Sequence, residues 1–164
     1  MKNKTFFLIV ILLVAASIIF WGWMFQYPAS EYQTAEVEQP EVTEITMYRG
    51  EGCNCCIKWA DYLEMEGFDV TDRLVDDLIE VKIESGISQE LASCHTAVID
   101  GYIVEGHVPA NEIRRLLREQ PDAIGIAVPG MPIGSPGMEQ GFQQDPYNVI
   151  LFNETGDRSV FARY

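Results

Sequence analysis

Apolar positions divide the chain into two regimes. Residues 6–25, "FFLIVILLVAASIIFWGWMF", form an unbroken apolar run of about the twenty residues a helix needs to cross a bilayer. From residue 44 the pattern shortens and becomes periodic. "EITMYR", residues 44–49, sets Ile45 and Met47 against polar neighbours and predicts a strand that stops at "GEG". Beyond Cys55 or Cys56, the spacing of Ile57, Ala60 and Leu63, with Trp59 four residues before Leu63, predicts an amphipathic helix closed by Gly67. "FDVTDRLV", residues 68–75, predicts a second strand, and "DDLIEVKIESG" a short acidic helix ended by Gly86. "TAVIDGYIVEG", residues 96–106, places two β-type runs around Asp100-Gly101, a dipeptide favoured in tight hairpin turns. "PANEIRRLLREQP" predicts a further helix, with Asn111 as N-cap and Ile113, Leu116 and Leu117 on one face, ending before Pro121. "IAVPGMPIGSPGMEQG" is rich in proline and glycine and predicts an ordered surface loop without regular structure. "YNVILF" and "RSVFA" around "NETGD" predict a terminal hairpin. Strands alternating with helices imply an α/β sheet with flanking helices.

The same pattern sets the domain organisation. Residues 1–5 form a short N-terminal segment carrying Lys2 and Lys4, and these charges favour a cytoplasmic N-terminus. The apolar run ends in aromatic residues, Trp21, Trp23 and Phe25, without a small-residue cleavage pattern. An uncleaved transmembrane anchor over residues 6–25 is therefore expected, with a cleaved export signal as the alternative. Residues 26–43 carry Pro28, Pro40 and several glutamates and read as a linker. The single domain, residues 44–164, then lies on the outer side of the membrane.

Composition narrows the partners. Acidic residues outnumber basic ones 25 to 11, for a formal charge of −14. Such a field repels phosphate backbones, so nucleic acid is not an expected partner. It attracts cations without naming one.

The candidate chemistry lies in four cysteines. Cys53, Cys55 and Cys56 crowd into "CNCC" at the predicted strand-to-helix turn, and Cys94 stands alone before the hairpin. Free N–H groups and the dipole at a helix start favour thiolate. The Cys-x-x-Cys pair Cys53 and Cys56 is thus suited either to thiol–disulfide exchange or to metal binding. A structural disulfide framework is the bland alternative for an exported domain, although three cysteines at one turn cannot tie distant segments together except through Cys94.

"EITMYRGEGCNCCIKWADYLEMEGFDV" is similar in layout to the opening of glutaredoxins, and "SCHTAVIDGYIVEGHVPANEIRRLL" resembles their later strand, hairpin and helix. That resemblance implies a thioredoxin-like, glutaredoxin-like mixed sheet in which His95 stands where those proteins place a proline facing the thiols. The combination of "CNCC", "SCHTAVIDGYIVEGHVPA" and "AVPGMPIGSPGME", spanning residues 45–138, resembles more closely the CopG-type copper-resistance family, a domain-of-unknown-function family. The resemblance implies a periplasmic copper cluster, with Cys53, Cys55 and Cys56 from a Cys-x-Cys-Cys motif and Cys94 from a Ser-Cys-His motif. Copper resistance or homeostasis is the implied role, with periplasmic copper chaperones or exporters as implied partners.

The donor chemistry agrees with that implication. Cu(I) is soft and prefers thiolate. Adjacent Cys55 and Cys56 cannot easily chelate one tetrahedral Zn(II), whereas adjacent thiolates suit bridging between ions. Four Cu(I) with four thiolates would cancel in charge, which relieves the cost of burial. The rival class is a thiol–disulfide oxidoreductase using Cys53 and Cys56, for which Cys55 and Cys94 would be surplus nucleophiles. No turnover of an organic substrate is expected. Four further residues are candidates for contacting the ligands or passing copper: His95 beside Cys94, His107 at the hairpin-to-helix junction, and Met131 and Met138 in the proline-rich loop. Trp59 and Tyr48 are expected to pack beside the turn.

Overall fold

The computed structural model describes residues 43–164. The expected anchor over residues 6–25 and all but the last residue of the linker lie outside the described residues. Among the described helices, none is long and apolar enough to cross a membrane.

Seven strands and three helices alternate in this region: β1 (Glu44–Arg49), α1 (Asn54–Met65), β2 (Asp69–Leu74), α2 (Leu78–Glu84), β3 (His95–Ile99), β4 (Tyr102–Glu105), α3 (Ala110–Glu119), β5 (Gly125–Ala127), β6 (Asn148–Phe152) and β7 (Arg158–Arg163). The strands make one mixed sheet in the order β2-β1-β3-β4-β5-β6-β7. β1 runs parallel to β2 and antiparallel to β3, whereas β4 runs parallel to β5. The α/β expectation holds, and the terminal pair β6–β7 forms as expected, with a bulge after Val149.

Alternation along β1 buries Ile45, Met47 and Arg49. Ile45 and Met47 join Trp59 and Leu63 of α1, Ala97 and Ile99 of β3, and Ile113 and Leu116 of α3 in the main core. Arg49 is buried because its guanidinium forks onto Asp72 of β2, with Nε and Nη2 at 2.7–3.0 Å from the carboxylate oxygens. At the β3–β4 turn, Asp100 (φ 47°) and Gly101 (φ 80°) both adopt left-handed backbone, the type I′ geometry that matches hairpin twist. Gly67, also left-handed, follows the end of α1 as expected.

Three boundaries differ from the sequence expectation. α1 begins at Asn54, so Cys53 takes the N-cap position. α3 begins at Ala110, with Pro109 rather than Asn111 at its cap. The reason is tertiary: the Tyr62 hydroxyl from α1 accepts the Ala110 N–H at 3.1 Å, a role a local cap would otherwise fill. The stretch expected to be wholly loop opens with β5, where Ile126 and Ala127 pair with both β4 and β6. Three residues between two existing strands need little intrinsic propensity, because the neighbours supply the hydrogen bonds.

After β5 the proline-rich loop crosses back to α1. Gly130 N–H donates to the Ala92 carbonyl at 3.1 Å, and the Ser93 hydroxyl donates to the Gly130 carbonyl. At its other end, Gly137 (φ 82°) lies so close to α1 that a β-carbon there would stand 2.8 Å from Trp59 N and 2.9 Å from the Cys55 carbonyl oxygen. Gly137→Ala is accordingly expected to lower stability by ~1–3 kcal/mol, read as a fall in the urea midpoint. An unchanged midpoint would show that the loop is not seated on the helix.

Candidate metal centre

The antiparallel register of β1 and β3 sets Arg49 opposite His95. The turn leaving β1 and the residue entering β3 therefore meet at one end of the sheet. Cys53, Cys55 and Cys56, around the first turn of α1, face Cys94 there, and all four sulfurs lie within 4.8 Å of one another. Cys55 Sγ is 3.6 Å from Cys53 Sγ and 3.8 Å from Cys94 Sγ. Cys56 is fully buried, and its Sγ lies 3.6 Å from the Cys94 carbonyl oxygen. Cys53 and Cys56 are joined as a disulfide, leaving Cys55 and Cys94 as free thiols. This bridge spans three positions of one turn, so it ties no distant segments together.

Cys94 forms a second cluster with His95 and His107. His107 Nδ1 lies 2.8 Å from the Pro136 carbonyl oxygen. A carbonyl can only accept, so Nδ1 carries the proton and Nε2 presents a lone pair. Nε2 is directed at Cys94 Sγ, 3.0 Å away. Burial holds the His107 pKa below the ordinary histidine value, which keeps the ring neutral. Burial, and then the neighbouring Cys55, push the Cys94 thiol up to about 12. In the metal-free state Cys94 thus donates its proton to His107, and a soft cation could take that proton's place.

His95 is fully buried, with its ring 4.3 Å from Trp59 and 5.0 Å from His107 between centroids. Its Nδ1 is 3.4 Å from Cys94 Sγ, while Nε2 has no hydrogen-bond partner among the described residues. Burial, followed by the charges of His107 and Lys82, holds His95 well below the ordinary histidine pKa. Trp59 packs beside the turn and donates to the Val108 carbonyl at 2.9 Å. Both histidines therefore adjoin the sulfurs. Met131 stands exposed and Met138 half-buried in the overlying loop, each directly after a glycine that seats the loop, Gly130 on Ser93 and Gly137 on α1.

Sequence reasoning missed the polar support of the site. Glu105, at the end of β4, is fully buried and paired with Lys82 of α2 at 2.5 Å. The available signals were a lone glutamate closing the apolar run "YIVEG" and a lone lysine within an acidic helix.

These features define a mixed α/β domain with a cysteine–histidine cluster of a kind able to hold metal. A family model described as "Protein of unknown function, DUF411" matches residues 91–138. Two solved structures, "Copper resistance protein copG- Form 2" and "Copper resistance protein copG- Form 1", are each 49% identical to this chain with a TM-score of 0.73. Each match covers 76% of this chain, with 99% and 98% of the respective partner chains. Comparison with curated proteins gives no match. The chain belongs to the family of copper resistance protein CopG.

In metal-free protein at pH 8, Cys94 is expected to be alkylated by iodoacetamide at least tenfold more slowly than an unstructured cysteine peptide, because a raised pKa leaves little thiolate. Mass mapping of the labelled peptides measures this. Alkylation at the peptide's rate would contradict the buried, histidine-bonded thiol.

Proposed function

We propose that the protein binds Cu(I) through Cys53, Cys55, Cys56 and Cys94, as a multinuclear cysteine-bridged cluster, in copper resistance or homeostasis. The observation that carries this reading is the convergence of four sulfurs within 4.8 Å, in a chain 49% identical to proteins titled copper resistance protein. Sulfurs this close favour bridging over separate mononuclear sites, and thiolate favours the soft monovalent ion. Four thiolates balance four Cu(I) charges, so a half-buried cluster carries no net charge. His107 Nε2 supplies a further lone pair beside Cys94.

The strand order β2-β1-β3-β4, with α1 after β1 and α3 after β4, supports a thioredoxin-like assignment. The apolar run over residues 6–25, behind Lys2 and Lys4, supports an inner-membrane anchor holding the domain on the periplasmic side. In that setting a copper chaperone or exporter is the proposed exchange partner, and no organic substrate is turned over. The Met131 and Met138 thioethers are proposed to help ions enter or leave from the overlying loop.

A second reading is favoured by one observation, the Cys53–Cys56 disulfide. In it these two residues cycle between disulfide and dithiol as an oxidoreductase. The readings are linked, because all four sulfurs serve as thiolates only after this disulfide has taken up two electrons; uptake of two protons as well gives the dithiol, which releases them again when a metal ion binds.

Full-length protein, reduced and handled anaerobically, is expected to retain several Cu(I) ions per chain and to show no titratable thiol in the loaded native state. Cys55→Ser should lower the copper stoichiometry. Saturation at one ion would rule out the multinuclear cluster, whereas no retained copper together with a readily cycled Cys53–Cys56 disulfide and full exchange activity in Cys55→Ser would transfer the protein to the oxidoreductase class.

A further inference from the structure

Cys94 lies just before β3, outside the regular ladder, so strand pairing does not hold the backbone that carries it. A buried carboxylate does, alongside the Gly130 contacts of Ala92 and Ser93 in the overlying loop. Glu105 Oε1 accepts the Ser93 backbone N–H at 2.6 Å and Lys82 Nζ at 2.5 Å. Its Oε2 accepts the Thr96 hydroxyl at 2.6 Å, while Lys82 Nζ also donates to Thr96 Oγ1 at 3.0 Å. Ser93 and Thr96 bracket the Cys94–His95 pair, so the carboxylate closes on both sides of it. Two residues further along its own strand exit stands His107, whose Nε2 meets Cys94 Sγ.

The clamp works from the opposite face of the sheet. His95 packs on Trp59 of α1, whereas the cross-strand partners Thr96 and Glu105 turn toward Lys82 of α2. None of the clamp's hydrogen bonds involves a cysteine sulfur or a histidine ring. An apolar pair of similar volume is often as stable as a buried ion pair, so stability alone does not call for charges here. What the ions provide, and apolar contacts would not, is directed bonds that fix one short backbone segment.

We propose that Glu105, held by Lys82, is the positioning residue of the metal centre: it sets the Ser93–Thr96 backbone so that Cys94 Sγ meets both Cys55 and His107. The copper part of this inference rests on the reading given above, whereas the geometric part concerns the metal-free protein.

The test uses the full-length chain with Glu105→Gln, with the apolar double replacement Lys82→Met/Glu105→Leu, and with Ile113→Val as a core control on α3 that takes no part in the clamp's hydrogen bonds. Folding is checked by circular dichroism. The alkylation rate of Cys94 relative to Cys55 is measured without metal, and Cu(I) affinity is measured by competition with a chromophoric chelator. The folded double replacement is expected to raise the Cys94-to-Cys55 rate ratio at least tenfold and to weaken Cu(I) binding about 10–100-fold, as loss of groups supporting metal ligands does elsewhere. Glu105→Gln, which keeps one acceptor oxygen, should fall between it and wild type, and Ile113→Val should leave the ratio unchanged. A folded double replacement with the wild-type ratio and affinity overturns the proposal. Should that variant not fold, a wild-type ratio in Glu105→Gln overturns it instead. If wild-type protein holds no Cu(I), the copper reading falls, while the metal-free rate ratio still decides the role of Glu105.

Discussion

The antiparallel pairing of β1 with β3 is the constraint on which the site depends. Its register sets Arg49 against His95, so the chain leaving β1 and the chain entering β3 meet at one end of the sheet. α1 follows β1 after four intervening residues and covers the core with Trp59, Ala60 and Leu63, and this brings its first turn against Cys94. Four thiols separated by up to 41 positions in sequence thereby become neighbours. No cysteine needs to seek the others, because the sheet and the helix that covers it bring them together.

Burial then determines their chemistry. Around Cys94 the surroundings disfavour charge: both histidines are held neutral, and the thiol keeps its proton to a pH far above the ordinary range. Such a site is poor for an isolated thiolate and well suited to one whose charge is cancelled by a bound monovalent cation. The contrast with the surface is large, since the chain as a whole carries a formal charge of −14. An acidic exterior attracts cations of any kind, whereas sulfur donors favour soft cations over hard ones.

The overlying loop links the outside to this interior. Its seats are Ser93, the residue before Cys94, and the first turns of α1, reached through Gly137. Between them, the Pro136 carbonyl fixes the His107 tautomer. The loop therefore fixes the proton position on a ring that faces the site while presenting Met131 to solvent. Beneath the sheet, the Lys82–Glu105 pair carries a different risk. Losing one partner of a buried ion pair costs roughly 3–5 kcal/mol, because the other charge is left without compensation.

The sequence by itself determined most of the local structure. Alternation in "EITMYR", the helical spacing after "CNCC" and the Asp-Gly turn of the hairpin are short-range signals, and each produced its element with errors of a residue or two at the ends. The cysteine set was also readable, because the clustering of three thiols is a local fact and family resemblance supplied the fourth. Tertiary structure decided what depends on partners far along the chain. Asn111 lost its capping role to the Tyr62 hydroxyl, and β5 formed because β4 and β6 flank it. Of Glu105 and Lys82 the sequence showed only a lone glutamate closing an apolar run and a lone lysine in an acidic helix, and of the Pro136 carbonyl it showed nothing. Their meaning lies in directed hydrogen bonds between residues brought together by folding, and no spacing rule encodes such a bond.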